Sequence, residues 1–325
     1  MLGVDVGKAE LHGTWRDAET ERIRWQGAVP NTADGIRQLL RRAPEAAVVV
    51  EPTGRYGEPL IRAAQAAGRA VLLAPPKKAR AFLQSEQSRA KTDRLDSAGL
   101  ALYGLTGRLR PYQLPSPAVD QVQQLLAARR GLSESLAKLR LQQASLPLAA
   151  EALAPAIAGL AAQVKALDAR IKQAAQAEEL AQAVAVLQTV PGIGPTIAPA
   201  LAACLVTKQF SHPDQFVAYV GLDIRVHQSG KRRGQFGLSK QGDGELRRLL
   251  YLAARSAANS THDPTFARRY QAALAKGLPT TGALNVVARK LAKVAWSLVA
   301  HGTTYDPHRV GTQPPPTPTA VPDRG

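Results

Sequence analysis

The chain has 325 residues, 45% of them hydrophobic, enough for about two domains with buried cores. Its formal net charge of +17 points to a polyanionic partner, because lysine and arginine gain by displacing counterions from phosphates. A single cysteine excludes an internal disulfide framework and fits a reducing cytosol, and six scattered histidines exclude a zinc site of the usual spacing.

In chain order, the first 75 residues read as α/β. Strands are expected over 2–6 (LGVDV), 10–16 (ELHGTWR) and 22–29 (RIRWQGAV). Asn31 or Thr32 caps a helix running to about Arg42, with Ile36, Leu39 and Leu40 as its apolar side. The run AAVVVE at 46–51 suits a strand buried on both faces. A helix over 57–68 and a strand over 70–74 follow, stopped by Pro75 and Pro76, and 77–107 reads as basic and helical. From 118 to 180 apolar residues recur at 3/4 spacing, through Val122, Leu125, Leu132, Leu136 and Leu139, then Ile157, Leu160, Val164, Leu167 and Ile171. Pro147 and Pro155 separate two long helices there. A hairpin packed within the chain and a contact between copies both fit. Residues 184–300 read as a second, mainly helical region with Cys204 as a core thiol, and the Pro- and Thr-rich end as disordered. The expected division is 1–112, 113–183, 184–301 and 302–325. No stretch approaches the ~18 apolar residues of a membrane span, and LGVDVGKAEL is too polar for a signal peptide, so no membrane partner is expected.

Three motifs carry chemistry. Asp5 lies within the first strand and Glu51 ends a buried one; carboxylates at strand ends converge on the crevice where open α/β sheets bind ligands. KTDRLDSAGLA adds Asp93 and Asp96, three apart and so on one helical face, flanked by Lys91 and Arg94. Four carboxylates in one pocket are not tolerated unpaired. One or two Mg²⁺ ions would neutralise them and hold a scissile phosphate among the basic residues. Pairing of Asp93 and Asp96 with neighbouring Lys and Arg is the plainer alternative.

The second motif, LQTVPGIGPTIAPAL, has the helix–hairpin–helix pattern, with Gly192 and Gly194 letting backbone N–H groups approach a phosphate. An ordinary helix–helix turn is its alternative. The third, RVHQSGKRRGQFGLSKQGDGELRRLL, offers Lys231, Arg232, Arg233 and Lys240 in a glycine-rich loop, with Arg247 and Arg248 on the next helix. Ser229 and Ser239 lie among those cations, and such a serine attacks a phosphodiester where cations stabilise the charge; loop serines are otherwise solvated or cap helices.

Together VDVGK, VEPTGRYG, KTDRLDSAGLA, PGIG, YVGL, QSGKRRG and SKQGDGELRRLLY, in this order from Leu2 to about His301, resemble the DEDD transposases of bacterial insertion sequences, the IS-one-ten family. The resemblance implies an RNase-H-like (RuvC-like) N-terminal domain carrying Asp5, Glu51, Asp93 and Asp96 as a Mg²⁺-binding catalytic set. The apolar spacing over 113–183 reads as a coiled-coil-like linker, and the resemblance implies that the mainly helical region after it is a transposase domain in which GLSKQG points to Ser239 as nucleophile. The resemblance also implies donor and target DNA as partners, a bridge RNA as guide, homo-oligomers up to tetramers with composite active sites, and a cytoplasmic, nucleoid-associated bacterial protein. Two departures are present: DIRVH follows YVGL where the family has a proline, and the chain starts close to its first strand, which leaves an upstream start codon open. The rival classes are an actin-like ATPase or sugar kinase, for which a second phosphate hairpin and an adenosine loop are missing, and a non-catalytic or resolvase-like DNA-binding protein.

Overall fold

The computed structural model describes residues 1–51, 54–85, 93–229 and 232–310, without the side chains of 93–95, 225–229 and 232–236. The chain divides into two compact units, Met1–Leu114 and Pro115–Gly325.

The first unit is built on β1 (Leu2–Val6), β2 (Glu10–Arg16), β3 (Ile23–Pro30), β4 (Val48–Val50) and β5 (Val71–Leu73). They form one mixed sheet in the order β3-β2-β1-β4-β5, with β1-β2-β3 antiparallel and β1-β4-β5 parallel. The strand alternation sorts the side chains. Leu2, Val4, Val6, Leu11, Val48 and Val50 face one way, onto α1 (Ala33–Arg42) and α2 (Glu58–Ala66). Val49 and Leu72 face the other, into a smaller core with Ala79 of α3 (Pro76–Ser85) and Leu100 and Tyr103 of α4 (Asp93–Leu105). Val48, Val49 and Val50 are all fully buried, as a central parallel strand requires. The Thr32 hydroxyl caps α1 by accepting from the Gly35 N–H.

Helix α4 seats directly on β1. A Cβ at Gly3 would lie 2.2 Å from the Ser97 carbonyl oxygen and 2.3 Å from the Ala101 nitrogen, so only glycine lets the helix come this close. The same seat is fixed by the buried hydroxyls of Thr14 and Ser97, 2.8 Å apart, and by Arg16, which donates to the Ala98 carbonyl.

The second unit opens with a long hairpin, α5 (Pro117–Ser145) and α6 (Ala150–Ala174). Its base joins a helical core made with α7 (Glu178–Gln188), α8 (Ile197–Thr207), α9 (Pro213–Tyr219), α10 (Gly244–Ala258), α11 (Thr265–Ala275) and α12 (Thr280–His301). A two-stranded ribbon, β6 (Ile224–Ser229) and β7 (Arg232–Leu238), stands between α9 and α10. Cys204 is buried in this core, and burial pushes its thiol up to about 12.

Four expectations change. Pro155 lies inside α6 rather than before it; near the start of a helix the missing N–H bond disrupts only the first turns. The 113–183 linker is not a separate layer, since Val119, Val122, Leu180 and Val184 belong to the second unit's core. Disorder does not begin at 302: the Tyr305 hydroxyl donates to Asp263 at 2.8 Å and Val310 is buried, while residues 311–325 lie outside the described part. Finally, Pro147–Ala174 is long and apolar enough to cross a membrane by length and composition, against the expectation that no stretch qualifies. Alanine supplies much of that apolar character, and the segment carries an ion pair with α5 through Asp168 and Arg129.

Candidate functional site

Strand register brings the first two carboxylates together. Gly3 pairs with Val49 and Val4 with Val50 in the parallel β1–β4 ladder, so Asp5 and Glu51 are the next neighbours along it. Both have the parity of Gly3 and Val49 and therefore face the α4 side. Both are half-buried.

The helix supplies the other two. α4 runs opposite to β1: a Cβ at Gly104 would meet Met1, whereas Ser97 and Ala101 sit over Gly3. From Ser97 back to Asp93 is roughly 6 Å of helix rise, and from Gly3 on to Asp5 roughly 6.6 Å of strand. The first turn of α4, with Asp93 and Asp96, thus starts level with Asp5 and Glu51 at the C-terminal end of the parallel strands. Asp96 is half-buried; the Asp93 and Arg94 side chains and the whole of Lys91 lie outside the described part. Among the described residues no group of three or more His, Cys, Asp or Glu side chains could by itself hold a metal ion. The fit to Mg²⁺ therefore rests on donor chemistry, carboxylates being hard oxygen ligands, and on the level of Asp5, Glu51 and the α4 backbone at one end of one sheet face.

Sequence reasoning missed His12. It stands directly opposite Asp5 in the β1–β2 register and shares its face, with its Nε2 3.7 Å from Glu10. Alternation along ELHGTWR carries that signal.

In the second unit, Gly192 and Gly194 lie in the turn between α7 and α8. Gly192 has φ +86°, and a Cβ there would be 2.3 Å from the Ala253 carbonyl oxygen. This glycine is required by helix packing as well as by its left-handed backbone. A Cβ at Gly194 would meet nothing within 4 Å, so that backbone is open to approach.

Ser239 follows β7. Its hydroxyl donates to the Asp223 carboxylate and accepts from the Gln241 N–H at 3.3 Å. The next residue, Lys240, is exposed with φ +50°, uncommon for a non-glycine. Lys231 lies outside the described part, as do the side chains of Arg232, Arg233 and the competing Ser229, which are placed on the β6–β7 ribbon by backbone only. Arg247 donates to the Val220 carbonyl at 2.9 Å and Arg248 pairs with Glu245 at 2.7 Å, so both have partners within the chain.

These features meet an independent set of similarities. The family model for DEDD transposases of IS110, described as "Transposase", matches residues 2–146, and a second, "Transposase IS116/IS110/IS902 family", matches 184–271. A "Probable family 20 transposase" of Pseudomonas aeruginosa is 33% identical over 193 residues, 56% of each chain. The "Pilin gene-inverting protein" of Moraxella lacunata is 26% identical over 317 residues, 94% of this chain and 97% of that one. The "Transposase for insertion sequence element IS1328" of Yersinia enterocolitica is 32% identical over 151 residues, 45% of this chain and 43% of that one. The chain thus spans about half the length of the Pseudomonas and Yersinia relatives and nearly all of the Moraxella one.

Proposed function

The chain belongs to the IS110 family of transposases, and on that premise we propose that it cuts and rejoins DNA to move an insertion sequence, with Ser239 as nucleophile. The observation that carries the reading is the convergence of Asp5, Glu51 and the first turn of α4 at one end of the parallel strands. The strand order of the first unit supports an RNase-H-like domain. Asp5, Glu51, Asp93 and Asp96 would hold Mg²⁺, which when bound neutralises charge on the scissile phosphate and its attacking and leaving oxygens. Ser239 stands on a loop bordered by lysine and arginine, which favour the phosphorane-like charge.

The turn around Gly192 and Gly194 and the basic ribbon serve as DNA contacts, and a structured RNA from the element chooses donor and target. Copies of the chain assemble as dimers to tetramers, and the half-exposed hairpin, with Leu141, Leu146 and Leu148 uncovered towards its tip, suits a contact between them. The protein acts in the bacterial cytoplasm at the nucleoid. The pilin gene-inverting relative supports a reaction that both breaks and reseals DNA.

The test is a covalent one. Full-length protein, labelled element-junction DNA and the transcript flanking the gene are incubated with Mg²⁺ and resolved on denaturing gels. A protein–DNA adduct is expected that persists in Ser229→Ala and vanishes in Ser239→Ala. An adduct kept by Ser239→Ala and absent in Ser229→Ala would name the wrong serine, and cleavage without any adduct would make water the nucleophile.

The basic ribbon makes a separate expectation. Replacing Lys231, Arg232 and Arg233 by alanine should lower the log–log salt slope of duplex binding by about 0.9 for each phosphate that is no longer neutralised. Fluorescence anisotropy at several salt concentrations reads this directly, and an unchanged slope would show that the ribbon does not meet the backbone.

A further inference from the structure

A transposase serine still needs a group to take its proton, and the described hydrogen bonds of the Ser239 hydroxyl do not include one to the neighbouring Lys240. The fold supplies such a group from across the ribbon. Asp223 lies just before β6 and Ser239 just after β7, sixteen residues apart in sequence. The Ser239 N–H donates to the Asp223 carbonyl at 2.9 Å, and its hydroxyl donates to the Asp223 carboxylate. The Gln241 N–H, at 3.3 Å, fixes the hydroxyl from a second side.

The pair is held on a rigid base. Lys240 N–H donates to the Gly221 carbonyl at 3.3 Å, Asp243 N–H to the Tyr219 carbonyl at 2.9 Å, and Arg247 to the Val220 carbonyl at 2.9 Å. Asp243 in turn caps α10 through two N–H groups at 3.0 Å. The loop is thus tied at both ends to α9 and α10, while Ser239 and Asp223 themselves remain only half-buried and open to a substrate. Lys240, at φ +50°, holds a sparsely populated backbone state immediately after the serine; such states persist only where surrounding contacts over-determine them and tend to collect at functional sites.

We propose that Asp223 is the proton acceptor for Ser239, an inference that rests on the reading of Ser239 as nucleophile. As Oγ attacks phosphorus, the new Oγ–P bond forms and the P–O bond to the leaving deoxyribose oxygen breaks. The Oγ proton passes to the Asp223 carboxylate, and the leaving oxygen takes up a proton, from Asp223 or from water. Rejoining runs the same transfers in reverse: a DNA hydroxyl attacks the serine phosphodiester, gives up its proton, and the released serine oxygen is reprotonated. No further reagent is consumed.

A carboxylate that merely pinned the loop would give the same static contact, so the test separates the two roles. Asp223→Asn preserves shape and a hydrogen-bond acceptor but not the base. It should slow adduct formation about 10²–10⁴-fold, the usual worth of general base catalysis, while melting temperature and DNA affinity stay at the wild-type values. Asp223→Ala should be slowed similarly and partly restored by added formate, which a collapse of loop structure would not allow. Asp223→Asn reacting at the wild-type rate, or a slowed Asp223→Ala indifferent to formate, overturns the assignment. Ser239→Ala run alongside keeps the two readings apart: an adduct formed without Ser239 removes the nucleophile and with it this inference, whereas an adduct absent in Ser239→Ala but undiminished in Asp223→Asn removes Asp223 alone.

Discussion

Replacing Asp93 and Asp96 together by asparagine should abolish DNA cleavage and leave the fold and DNA binding intact. The expectation follows from level and register. Asp5 and Glu51 are neighbours at the end of β1 and β4, and α4 begins beside them. Asparagine keeps shape and one neutral carbonyl oxygen but lacks the negative charge and second oxygen with which a carboxylate holds Mg²⁺. Metal stabilisation of the transferring phosphate is worth several kcal/mol, and each 1.36 kcal/mol is about tenfold in rate, so a decrease beyond about 10³-fold is expected. Two further measurements test the metal without relying on activity. Mg²⁺ should raise the melting temperature of the wild type, since a ligand that binds only the folded state stabilises it, and should not raise that of the double variant. In metal-free buffer the variant should melt no lower than the wild type, because clustered negative charge has been removed. Full cleavage by the variant would leave Asp93 and Asp96 as mere partners of the surrounding lysine and arginine.

Much of this arrangement is legible in the sequence because local rules set it. The apolar run before Glu51 specifies a strand buried on both faces, and Thr32 announces its helix through the need of orphan N–H groups for an acceptor. What depends on distant partners is not legible. Nothing in LGVDVG says that Gly3, rather than Gly7, is where a helix about a hundred residues on will press its backbone. Asp223 is invisible as a partner of Ser239 because the ribbon between them decides the pairing. Gly192 reads in sequence as a phosphate contact, yet its approach to Ala253 already demands glycine, so the phosphate reading falls more squarely on the open Gly194. Arg247 and Arg248 look like free cations in RRLL, but their places on α10 put a carbonyl and a carboxylate within reach.

Gly3→Ala should be severely damaging to the first unit. The added carbon would lie 2.2 Å from the Ser97 oxygen and 2.3 Å from the Ala101 nitrogen. Both are backbone atoms of α4 and cannot rotate away, so the helix must lift from β1. Ordinary overpacking costs about 1–3 kcal/mol, where side chains absorb part of the strain; here a destabilisation of at least about 3 kcal/mol is expected. For a unit of this size, that lowers the melting temperature by roughly 12 °C or more, at about 4 °C per kcal/mol. Because the lifted helix carries Asp93 and Asp96, cleavage should fall with stability even at temperatures where the unit stays folded. Gly131→Ala is the matched control: it lies within α5, and its new Cβ meets nothing within 4 Å. It should be neutral or stabilise by about 0.5–1 kcal/mol, the ordinary gain of alanine over glycine in a helix. Thermal melts and amide-exchange protection of α4 decide the matter. Wild-type melting and undiminished protection over Ser97–Ala101 in Gly3→Ala would show that α4 does not seat on β1 in this way, and the placement of its aspartates level with Asp5 would fall with it.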